Sequence, residues 1–156
     1  MAPAEYENDR FKTETGVRVI VQVPETHVQK IMAAILAEDA LTYGDYDSVT
    51  FQTALGQQQF RSTGRGRNAA TTSAVKVPCV EVSFFLSGDA SNTTKVLKAI
   101  YETHPYEEPV ILVSQCLRTL HIRGLDEDNP NRFWNGDAEE WVPEAHKPKA
   151  GRMTRS

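Results

Sequence analysis

His104-Pro105-Tyr106-Glu107-Glu108-Pro109 separates an amphipathic run at residues 93–103 from an apolar run at 110–116. Pro105 disfavours helical backbone at His104, which predicts that the helix ends there. Pro109 lacks an N–H and suits the first residue of a strand. The hexapeptide is therefore a helix-to-strand corner, and it gathers an imidazole, a phenol and two carboxylates. His104 and Glu107 are spaced so that a turn brings them together. An imidazole with carboxylate oxygens suits a divalent transition metal such as zinc, copper, nickel or manganese. Two ligands make a weak site, and His121 or a second subunit's corner would supply a third. The alternative is a polar turn, in which His104 caps the helix and Glu107 or Glu108 pairs with an arginine such as Arg18. An acid/base pair of His104 with Glu107 or Glu108 would suit a small-molecule-processing enzyme. No nucleophile elbow, triad order or cofactor fingerprint accompanies it, so a non-catalytic binding or regulatory module is the reading adopted.

Outward from the corner, the remaining elements follow from periodicity. Val17, Val19, Val21 and Val23 alternate with more polar positions, giving a half-buried strand closed by Pro24. Thr26 and Gln29 have capping-box spacing. Val28, Ile31, Met32, Ile35 and Leu36 then form one apolar stripe of a helix ending near Asp39. Residues 48–55 alternate as a second strand, which residues 56–61 continue or restart. Residues 62–73 are rich in Gly, Ser, Thr, Asn and Arg, which predicts a long mobile loop. With Arg61, Arg65 and Arg67 it could form a cationic lid over an anion; no Walker pattern is present. Residues 80–86 form the third strand, with Val80, Val82 and Phe84 on one face. Ser91 or Asn92 is expected to cap a helix that buries Val96, Leu97 and Ile100. Residues 110–116 form the fourth strand, apolar on both faces at its start, as a central strand or subunit contact would be.

The order strand, helix, strand, strand, helix, strand is that of an α+β, ferredoxin-like βαββαβ sandwich. It predicts a four-stranded antiparallel sheet with two helices on one face. The other face needs a cover, which oligomerisation can provide.

The chain has 156 residues, enough for one domain with a real core. Its net charge of −4 argues against a general nucleic-acid surface. No apolar run is long enough to span a membrane, and the first residues lack a secretory signal's apolar segment. Cys79 and Cys116 lie in strand-like runs, which predicts buried free thiols and a cytoplasmic location.

Several blocks, in order, resemble one family. They are Gly44-Asp45-Tyr46-Asp47-Ser48-Val49-Thr50-Phe51, then Gly56 with Gln59-Phe60-Arg61, then Glu81-Val82, then the corner hexapeptide. Together they resemble the domain inserted in YqfO-type members of the Nif-three-like proteins. That domain is similar in fold to CutA, the divalent-cation tolerance protein, and to PII signalling proteins. The resemblance covers residues 16–117. It implies a CutA-like fold and a homotrimer that can hold a small ligand in clefts between subunits, beside the metal ion that the corner's residue types suggest. Among the matched positions, Tyr46, Arg61, Tyr106 and Glu108 are the candidate ligand contacts. The two-metal core of the full-length family is built on flanking segments that have no counterpart here, so its dinuclear site is not carried over. The chain also departs from the pattern after Arg61, where the usual Pro and Gly are missing.

Outside the matched region, residues 1–15 show no periodicity and are expected to form a flexible arm. The domain is placed at residues 16–123, with Leu120-His121-Ile122 as a short edge strand. Residues 124–156 form an extension in which Trp134 and Trp141 are expected to be buried anchors. Its basic end, residues 147–155, is expected to be disordered.

Overall fold

A computed structural model describes residues 5–147. The expected N-terminal strand is longer than periodicity indicated: β1 spans Phe11–Val23. Its first half, polar on both sides, is held by β5 (Ile111–His121), which it pairs from Phe11↔His121 to Val21↔Ile111. Residues 11–15 of the expected arm are therefore strand, and residues 1–4 lie outside the described residues. The same pairing makes the expected edge strand at 120–122 the end of β5 itself.

After Pro24 the chain makes a 3₁₀ turn, Glu25–His27, before α1 (Val28–Glu38). Thr26 lies inside that turn, so no capping box forms; its hydroxyl meets His27 Nδ1 at 3.1 Å instead. The expected second strand is split into β2 (Phe51–Gln52) and β3 (Gly56–Phe60), which both pair with β4 (Val75–Leu86). The sheet thus has five strands, in the order β2-β4-β1-β5, with β3 on the outer part of β4. This is the ferredoxin-like arrangement with one strand interrupted. The second helix, α2 (Ala90–Thr103), is capped not by Ser91 or Asn92 but by Asp89, two residues before Ser91, whose carboxylate accepts the Asn92 N–H at 3.0 Å. Asn92 in turn donates to Asp39 at 2.8 Å, tying the start of α2 to the end of α1.

Alternation decides the core. Val19, Val21 and Val23 of β1 lie opposite Phe84, Val82 and Val80 of β4, and all are buried. Against them pack Val28, Ile31 and Ile35 of α1 and Val96 and Ile100 of α2. Tyr101 of α2 is exposed. Leu41 turns into the same core with φ at 51°, a conformation rare for a leucine, and Asp39 accepts its N–H at 2.7 Å. The other face of the sheet carries no helix. There Ile20 faces Leu112, which is 53% exposed, and Phe51 is exposed beside Ser83. Cys79 is buried, Cys116 half-buried, and both are free. Among the described residues no helix is long and apolar enough to cross a membrane.

Candidate functional site

α2 ends where Pro105 requires: His104 is its C-cap, with extended backbone at φ −67° and ψ 139°. The imidazole folds back under the corner and is only 7% exposed. Its Nδ1 accepts the Tyr106 N–H at 3.0 Å, so the proton sits on Nε2, which donates to the Gln22 carbonyl at 2.8 Å. The Tyr106 ring packs on the imidazole with centroids 5.0 Å apart. Burial pulls the His104 pKa below 6.5, opposed by the bond to Gln22, and burial pushes the Tyr106 phenol up. His104 is thus a neutral pin between α2, β1 and the corner. Pairing of Glu107 or Glu108 with Arg18 is not seen.

Both His104 nitrogens are engaged, so the expected metal set of His104, Glu107 and His121 does not assemble in one chain. His121 is at the far end of β5, ten residues from Ile111, or about 33 Å at ~3.3 Å per residue. It lies 3.4 Å from Asp126. Among the described residues no three His, Cys, Asp or Glu side chains are grouped to hold a metal ion. The donors present at the corner therefore do not fit a metal unless the imidazole leaves Gln22.

What the structure does bring to the corner is the arginine-bearing loop. Glu107 Oε2 accepts the Arg67 backbone N–H at 2.9 Å, across forty residues of sequence. The loop is closed at its base: Thr71 N–H bonds the Ser62 carbonyl at 3.1 Å, and the Ser62 hydroxyl bonds the Asn68 carbonyl at 2.9 Å. Arg61 donates to the Thr71 carbonyl at 3.1 Å. The segment expected to be a long mobile loop is thus hydrogen-bonded across its base and docked, with Arg61, Arg65 and Arg67 all exposed. Glu108 is exposed and makes no side-chain hydrogen bond or ion pair among the described residues. Of the four candidate ligand contacts, Tyr106 and Glu108 share the corner, and Arg61 lies at the base of the loop docked on it. Tyr46 does not join them. It belongs to a turn, bridged Tyr43↔Tyr46, that lies against the other end of β5, where Arg118 donates to the Thr42 carbonyl at 2.9 Å.

A second polar centre was not foreseen. Asp126 is buried and binds Arg10, Arg132 at 2.7 Å, Asn129 at 3.3 Å and His121. The hydrogen bond from Arg10 holds its carboxyl below the usual value. In sequence Asp126 is one acid of a polar turn, and nothing marks Arg10 as its partner. Beyond it, Val142 is buried, whereas Trp134 and Trp141 are 42% and 65% exposed. The expectation that both indoles are buried is thus not met in the single chain; they pack edge to face on Phe133 and stay open to solvent. The basic end of the extension lies outside the described residues, except for Lys147.

No protein-family model and no curated protein matches this chain. Solved structures do. A Bacillus cereus protein related to NIF3 superposes with a TM-score of 0.56 at 27% identity, over 72% of this chain and 27% of that one. The chain therefore spans 27% of that protein's length. CutA from Synechococcus elongatus is 16% identical over 74% of this chain and 85% of its own, with a TM-score of 0.47. A PII-like protein CutA from Nostoc is 15% identical over 63% and 78%, at 0.43. The strand order and the similarity to the Bacillus protein agree: this chain carries a ferredoxin-like domain that resembles part of a NIF3-related protein.

Proposed function

We propose that this protein is a non-catalytic binding or regulatory module, a homotrimer that holds a small anionic ligand between the corner and the arginine loop. The observation that carries this reading is the bond from Arg67 N–H to Glu107. It folds a loop bearing three exposed arginines onto the segment that carries Tyr106 and Glu108. Guanidinium groups recognise carboxylate and phosphate oxygens through paired N–H donors. The helix-free sheet face supports assembly: Leu112 and Phe51 are exposed on it, and an uncovered apolar sheet face favours a partner. We take the partner to be a second and third copy of this chain, as the sequence resemblance implies. Both cysteines are free, in keeping with a reducing compartment such as the cytoplasm.

Thermal-shift measurements with small carboxylates, phosphates and divalent metal ions test this. A specific anion at 100 times its Kd should add about 2.7 kcal/mol of apparent stability. That gain should vanish in the Arg61→Ala, Arg65→Ala, Arg67→Ala triple variant. If no anion shifts the melting temperature, or the triple variant responds like the wild type, the anion reading fails. A shift with a metal ion that depends on His104 would favour the metal instead.

A further inference from the structure

Far from the corner, β5 runs into the C-terminal extension and leaves a cleft of about 270 Å³ lined by His121, Arg123, Gly124, Asp126, Glu127 and Trp134. Beside it the extension builds an aromatic cluster. The Phe133 ring meets Trp134 at 5.3 Å and Trp141 at 5.9 Å, both edge to face. This packing fixes the two indoles while leaving them 42% and 65% exposed. Tryptophans fixed and exposed on a surface are typical anchors of protein recognition.

The charges around these rings are predominantly negative, with Arg123 the one arginine in the cleft lining. Residues 126–144 hold seven carboxylates and a single cation, Arg132. The local cations are already used: Arg10 and Arg132 on Asp126, and Arg123 on Asp45. Among the described residues, the carboxylates of Glu127, Asp128, Asp137 and Glu140 have no ion-pair partner. Glu127 and Trp134 both line the cleft. An indole face next to an uncompensated carboxylate is the setting that a guanidinium prefers, stacking on the ring while pairing with the acid.

We propose that this surface docks an arginine-bearing basic segment of a partner protein, with one arginine seated in the cleft against Trp134 and Glu127 and a second over Trp141. Charge complementarity names the partner's chemistry, and the two indoles set two arginine contacts. The site is separate from the corner and uses none of its residues.

A fluorescently labelled peptide of alternating arginine and glycine tests the proposal. It should be titrated into the full chain at about 0.15 M salt, where attraction between exposed charges is screened beyond about 8 Å. Saturable binding of one peptide per chain is expected, with a change in tryptophan emission. Affinity should fall about fivefold or more in Trp134→Ala, in Trp141→Ala and in Glu127→Gln. A lysine version should bind more weakly and a glutamate version not at all. Trp141 is the most exposed of these rings, so Trp141→Ala should melt like the wild type, which separates lost recognition from lost folding. Absence of saturable binding overturns the proposal. So does binding that is equal in the wild type and both tryptophan variants, which would reduce it to unspecific attraction by net charge.

Discussion

Replacing His104 by Ala removes the pin that holds the corner. Two hydrogen bonds go, to Gln22 O and from Tyr106 N–H, and two backbone groups lose their partner, a side chain that is itself only 7% exposed. Leaving a buried polar group unpaired costs about 1–3 kcal/mol. Some relaxation and entry of water reduces the sum, so a loss of about 2–4 kcal/mol is expected above pH 7. The pH dependence has a definite sign. Folded His104 titrates below 6.5 because burial disfavours its charged form. The unfolded chain therefore takes up a proton that the folded chain does not. Its contribution is fully present above pH 6.5 and is lost as pH falls from there through the lowered folded value. The variant lacks this titration, and the other histidines are common to both proteins. The gap between wild type and variant should thus narrow between about pH 8 and about pH 5. Urea denaturation followed by circular dichroism at both pH values measures it. A gap below about 0.5 kcal/mol at pH 8 would refute the pin, since that is the range of ordinary surface substitutions. A gap that widens on acidification would refute the neutral imidazole.

Glu107→Ala should release the docked loop without unfolding the domain, and trypsin should then cut at Arg65 or Arg67 faster than in the wild type; unchanged cleavage would show that the carboxylate does not hold the loop. Gly16→Ala should destabilise the protein by at least about 1–3 kcal/mol in a melting experiment, because a Cβ there would lie 2.3 Å from the Phe85 ring and 2.4 Å from the Leu86 carbonyl oxygen. Light scattering on a size-exclusion column should report three times the chain mass, and a monomer at micromolar concentration would remove the trimer. Arg10→Ala should lower the melting temperature by unpairing Asp126 on one side, and a melt equal to wild type would show that Arg132 and His121 suffice.

Local pattern alone determined the framework. The 3.6 and 2.0 periods of the valines, isoleucines and leucines place α1, α2 and the core strands, since burial of one face is written into spacing. Pro105 fixes the end of α2 at His104, because a proline restricts the backbone of the residue before it. The tertiary structure decided everything that depends on distant partners. Residues 11–15 become strand only because β5 continues to His121 and offers a ladder; their own sequence has no alternation to show it. The imidazole, carboxylates and His121 looked alike as ligands, since residue type does not reveal that Gln22 O and Tyr106 N–H occupy one ring or that β5 carries His121 to the other end. The docking of Arg67 on Glu107 and the pairing of Arg10 with Asp126 span 40 and 116 positions. No local signal encodes such bonds, because they arise only when the fold brings the two distant segments together.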